Sequence, residues 1–199
     1  MTARVGPLSP REWPEGLNES LAASLRPTNP RHPVSPRDPS SPKGLNAMGV
    51  LANHPDLMVA YNHLICHALY YSTITTRQRE LLILRVAHLR GAAYLWAQHV
   101  YQAGVAGVAP EEVARVRLGP DAEGWAPLES ALLASVDELI ADACIGEATY
   151  SALEEELETQ QLMDVVFIVG TYDTFAMAMR TFGVELDDDL QPYIQRVPM

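Results

Sequence analysis

The chain is poor in cysteine, with two in 199 residues, and poor in positive charge, with 14 Lys and Arg against 25 Asp and Glu. Cys66 and Cys144 fit neither a CxxC pair nor a zinc-ligand spacing. Each lies in an apolar helical stretch, LICHALYY and ADACIG, which predicts buried free thiols. The net charge of −11 argues against unassisted binding to nucleic acid or to an anionic membrane surface. No run approaches the roughly 18 apolar residues of a membrane span, and the N-terminus has no signal pattern. A phosphate-cradling glycine loop, a nucleotide fingerprint and a local Ser/His/Asp motif are also missing. These absences lead to the expectation of a cytoplasmic protein that needs no cofactor and no metal, with a small molecule as its partner.

What is present is apolar and helical. Hydrophobic residues make up 48% of the chain, enough for one domain with a sizeable core. Nine prolines fall in residues 1–43, where only Glu12 to Leu25 has a helical pattern. This segment is either a disordered tail or an arm that drapes over the domain or a neighbouring subunit, with Trp13 and Val34 to bury. Helical patterns follow over about 53–71, 76–89, 92–103, 110–116, 128–143, 147–157 and 160–182. Thr75 and Gln78 form a T-x-x-Q capping box before the second of these. Gly183 stands where it would cap the last. No strand-like alternation of useful length appears, so the class is all-α. The expected division is an arm over 1–43, a helical domain over 44–190 and a tail over 191–199. The runs Val165–Val169 and Phe175–Met179 coat a helix on nearly every side, which suits an oligomer.

The most distinctive segment is Arg79 to Gly107. An apolar run from Leu81 to Leu89 contains Arg85, a group costly to bury without a carboxylate. A second helical segment then presents Tyr94, Trp96, Gln98 and His99. Glu80 precedes Ala92 by twelve residues; Leu95 and His99 follow Ala92 at steps of three and four, which keeps them on one helix face. With GLNAMGVLANHP near Gly44 and AMRTFGVELDDDL ending near Asp189, this frame resembles the carboxymuconolactone decarboxylase family, which includes alkylhydroperoxidase D. In the peroxidase branch a CxxC pair stands where this chain has Ala92 and Leu95. The resemblance implies a single-domain helical bundle, assembled as a trimer or a trimer of dimers, without the reactive thiols.

The resemblance also marks Glu80 and His99 as candidates for proton transfer, His99 being suited to it near neutral pH. The alternative is a core histidine bonded to a neighbour, with Glu80 merely favouring the start of its helix. Arg85 could hold a substrate carboxylate with its fork of donors. The preferred reading makes it a structural bridge to Asp164 or Asp173. His67 stands four residues after His63 without a third ligand at a suggestive spacing, so it is read as lining a pocket rather than binding metal. Tyr94, Trp96 and Tyr172 are core aromatics or pocket walls. His88 is read as a partly buried histidine. Three functions follow in order: a cofactor-independent lyase on a small lactone or carboxylic acid, a non-catalytic binding oligomer, and a thiol peroxidase.

Overall fold

The architecture is organised around one helix that is buried on every side through its middle. In the computed structural model, which describes residues 3–24, 29–32 and 41–199, α4 spans Thr76–Leu89. Leu81 to Leu84, Val86 and Ala87 of α4 have no exposed surface. The helix starts at the capping box read from the sequence: Gln78 N–H donates to Thr75 Oγ1 at 3.2 Å, and Thr75 N–H donates to Gln78 Oε1 at 2.8 Å. Around α4 pack α5 (Ala93–Val105), α6 (Pro110–Val116), α7 (Pro127–Asp142) and α9 (Thr159–Phe182). Helix α8 (Glu147–Glu154) lies against α7 and α9. Among the described residues there is no strand, as the all-α reading expects. Gly183 caps α9 in the left-handed region, with φ of 67°.

Three parts depart from the sequence reading. The helix expected over 53–71 is α3 (Pro55–Cys66) followed by a π-helical turn, His67–Tyr71. A short helix, α2 (Leu45–Leu51), and a C-terminal one, α10 (Gln191–Arg196), form where no periodicity pointed to them. Helix α10 packs on α5, and Trp96 Nε1–H donates to the Val197 carbonyl at 2.8 Å. The described part of the arm takes the draped form. Arg4 N–H reaches the Phe182 carbonyl, and Leu8 N–H that of Gly49. A Cβ on Gly49 would lie 2.5 Å from the Leu8 carbonyl, so only glycine admits this crossing. Helix α1 (Leu17–Ser24) buries Leu17 and Leu21 against Ala52 and Met58. Val34 falls outside the described residues.

The thiol expectation holds for Cys66 and fails for Cys144, which is exposed beyond the end of α7. Helix α9 also qualifies, by length and composition, as long and apolar enough to cross a membrane. Half of its most apolar window is buried here against the other helices.

Arg85 is a strut, but its partner is neither Asp164 nor Asp173. Its Nε and Nη2 donate to the two oxygens of Asp137 at 2.6 and 2.7 Å, and Nη1 to the carbonyls of Val116 and Arg117. Asp173 instead takes Arg90, and Asp164 takes His67 and Thr73. Asp137→Ala would strand the guanidinium, which is 7% exposed, in the core. Losing one partner of a buried pair costs about 3 kcal/mol or more. Urea unfolding should therefore show a loss near that size; a change under about 0.5 kcal/mol would mean the bridge carries no weight.

Candidate active site

The charged centre of the molecule is a glutamate with no exposed surface. Glu80 lies in the first turns of α4, already inside the bundle. Its Oε2 faces Nδ1 of His99 on α5 at 2.7 Å. Its Oε1 accepts from Nε and Nη2 of Arg79 at 3.0 and 2.9 Å. Arg79 is 7% exposed and uses Nη1 to hold the Leu69 carbonyl at 2.8 Å. That carbonyl belongs to the π turn, a local geometry that recurs at functional sites. Burial, the largest influence on Glu80, raises its proton affinity. The charges and hydrogen bonds of His99 and Arg79 together overcome it and hold the carboxyl below the ordinary glutamate range.

In front of His99 is a cavity of about 150 Å³. Helix α5 lines it with Gln98, His99 and Gln102, α3 with Met58, Tyr61, Asn62 and Ile65, α2 with Ala47, Met48 and Leu51, and α9 with Tyr172 and Phe175. The ring of Tyr172 meets His99 edge-on, centroids 5.0 Å apart. Tyr61 and Phe175 stack at 6.2 Å, and Tyr61 Oη–H donates to the Thr171 carbonyl. Burial first, then the charge of Glu80, pushes the Tyr172 hydroxyl far from ionisation, so it acts as a neutral group. With Nδ1 of His99 held by Glu80, Nε2 is the ring nitrogen left to act on an occupant.

The fold and this geometry can be set beside known proteins. Residues 55–138 match the carboxymuconolactone decarboxylase family. That match and the solved structures below support a carboxymuconolactone decarboxylase-like, AhpD-like helical fold for this chain. No curated protein matches it. Among solved structures, the debrominase Bmp8, crystallised as a cysteine-to-alanine variant with 2,3,4-tribromopyrrole, superposes with a TM-score of 0.74 at 15% identity. That comparison covers 99% of this chain and 98% of the other. The AhpD core of an uncharacterised peroxidase-related protein from Ralstonia eutropha JMP134 gives 0.68 at 19%, covering 87% and 100%. A protein of unknown function from Agrobacterium tumefaciens, also ascribed to AhpD, gives 0.65 at 18%, covering 69% and 94%. Identities this low speak for the fold alone.

Against this family frame the candidate residues separate. Glu80, His99 and Tyr172 come together. Arg85 does not line the cavity and is spent on Asp137. His67 bonds Asp164 at 2.8 Å and lines a different, more open groove with Thr73 and Phe167. Trp96 is fully buried. Tyr94 packs behind the cavity, giving its hydroxyl proton to Asp187 and accepting from Ala47 N–H. The positions of the absent thiols, Ala92 and Leu95, are 1% exposed and outside the lining. His88 is half-buried beside Trp96, with an Nδ1 that has no partner.

Sequence reasoning missed Arg79, Lys43, Gln98 and Tyr61. Arg79 sat in plain view beside Glu80, but adjacent residues do not share a helix face, so it was not paired with it. Because Glu80 is held below the ordinary value of 4.5, its stabilisation is complete above that pH. It drains away as the pH falls through the lower, folded value. Glu80→Gln should cost roughly 3 kcal/mol at pH 7, and the gap to the parent should narrow as the pH falls below 4.5. Stability curves that run parallel in acid would show that the carboxylate is not what holds the pair.

Proposed function

We propose that this chain is a cofactor-independent lyase acting on a small lactone or carboxylic acid, with His99 moving the proton and Glu80 holding His99. The observation that carries the reading is the 2.7 Å bond from His99 to a fully buried carboxylate, behind an imidazole that lines a cavity. A cavity near 150 Å³ accommodates about one benzene-sized ring. In a decarboxylation the bond between carbon and carboxylate breaks, its electron pair passes into an enolate, and CO₂ leaves. Protonated His99 then delivers a proton from Nε2 to that carbon and regains one from solvent. Glu80 stabilises the imidazolium, and Arg79 keeps Glu80 ionised. Such proton transfer is worth about 10²–10⁴-fold in rate.

Thiol peroxidase chemistry finds no support in this cavity. Its lining contains no cysteine, and Cys66 is buried with its thiol pushed toward the neutral form by burial. Neither cysteine is in a disulfide, which supports a reducing compartment. Thermal-shift screening of small lactones and carboxylic acids identifies the ligand by the rise in melting temperature. With that compound, His99→Gln should lower kcat by at least about 100-fold while the circular dichroism spectrum is unchanged. Turnover retained within a few-fold would end the proton-transfer reading.

We also propose a homo-oligomer, a trimer or hexamer, built on α9 and α3. Met163 and Phe167 of α9 are 56 and 59% exposed and line one groove with the exposed Leu64 of α3. A clustered apolar face of this kind marks an association surface. Sedimentation equilibrium should show an oligomer that Phe167→Glu dissociates; a monomeric parent protein would overturn the assignment.

A further inference from the structure

We infer that Asp164 is a positioning residue for the His99 centre, acting from outside the cavity through the π turn and Arg79. The inference rests on reading His99 as the group that moves the proton, and it names what keeps that group in place. Asp164 lies on α9, is buried, and does not line the His99 cavity. Its Oδ1 accepts from Nε2–H of His67 at 2.8 Å. Its Oδ2 accepts from the Thr73 hydroxyl at 2.6 Å and from the Thr73 backbone N–H. His67 opens the π turn, and Thr73 lies just beyond its end, so one carboxylate holds the turn at both sides. Burial raises the proton affinity of Asp164, and the bonds from Thr73 and His67 outweigh it and keep the carboxyl below its ordinary range.

The backbone shows why this hold reaches the site. In an α-helix the N–H of Thr73 would bond the carbonyl four residues before it, which is that of Leu69. Here Asp164 takes the Thr73 N–H, and the Leu69 carbonyl accepts instead from Nη1 of Arg79 at 2.8 Å. The turn closes with the wider π spacing, Ser72 N–H donating to the His67 carbonyl at 2.9 Å. Arg79 then holds Glu80, and Glu80 holds His99. Every link from Asp164 to the imidazole is therefore a hydrogen bond or a peptide unit. The chain of contacts starts near the surface, because the His67 side chain is 54% exposed. A carboxylate that merely tied α9 to the end of α3 would stabilise the fold without setting the Arg79–Glu80–His99 geometry, and that difference is measurable.

The test compares Asp164→Ala with Asp137→Ala in the full chain, without ligand, by NMR of the Arg79 Nε–H and the His99 Nδ1–H. Both variants lose a carboxylate that holds a basic side chain, but only Asp164 is joined to the His99 centre. Asp164→Ala should speed exchange of the Arg79 Nε–H with water by at least about 10-fold and shift the His99 resonance. Asp137→Ala should leave both signals as in the parent. Asp164→Asn keeps an acceptor for Thr73 and should bring both back toward the parent. Thr73→Val, a milder change that serves if Asp164→Ala does not fold, should shift both in the same direction. With the compound found by thermal shift, Asp164→Ala should lower kcat about 10- to 100-fold while KM changes by less than about 2-fold. Unchanged Arg79 and His99 signals in a folded Asp164 or Thr73 variant, or equal changes in Asp137→Ala, overturn the positioning role and leave the lyase reading standing. Shifted signals with an unchanged kcat overturn the lyase reading instead.

Discussion

The structure depends on keeping one carboxylate charged where there is no water. A glutamate without solvent contact costs several kcal/mol unless both oxygens are paired. Here Oε1 is occupied by Arg79 and Oε2 by His99. Each partner passes the constraint outward. His99 is fixed in ring orientation and in the nitrogen it shows to the cavity. Arg79 carries the constraint to the Leu69 carbonyl and so to the turn that lines the same cavity. Helices α4 and α5 are thereby joined by an ionic contact as well as by apolar packing. The candidate site and the core are one physical object, and the site cannot loosen without exposing a buried charge.

The other arginines of this region divide the remaining work. Arg77 reaches Glu112 on α6 and Glu129 on α7, and the Glu112 carboxyl is lowered to about 2, first through that hydrogen bond. Arg85 reaches Asp137 on α7, and Arg90 reaches Asp173 on α9. One helix with its C-terminal cap therefore directs cations to the elements around it. Only Arg79 is turned toward the chemistry. This explains how a helix with an apolar middle can still set the positions of its neighbours: packing excludes water, and the forks of donors specify direction.

The fold was largely legible because its signals are local. The Thr75–Gln78 box, Pro110 and Gly183 mark helix ends within a few residues, and the apolar run of α4 announces burial, whereas the equally apolar α9 keeps Met163, Phe167 and Met177 exposed. The Glu80–His99 pair came from a spacing shared with a family rather than from any local rule. Arg85 was correctly read as structural and given the wrong partners, because Asp137, Asp164 and Asp173 look alike in sequence and only the packing of α7 on α4 selects among them. His67 was read as lining a pocket. It does, but the π turn carries it to another groove. Lys43 was invisible for a different reason. Helix α2 has seven residues, too few for periodicity, and its first turn is tied to Asp187, 141 residues away from Asn46.

The π turn at His67–Tyr71 has a consequence for how this chain can vary. A π turn accommodates one more residue than the α-helical turn it replaces. It is in effect an insertion absorbed without breaking the helix. Removing one residue there would let the end of α3 run straight, and the polypeptide would keep its helices. The Leu69 carbonyl would then rotate away from Arg79, leaving a guanidinium group without its second anchor behind an intact fold. Length variation at this single turn is therefore a route by which relatives could gain or lose a charged centre while their overall shape, the quantity that structural superposition measures, barely changes.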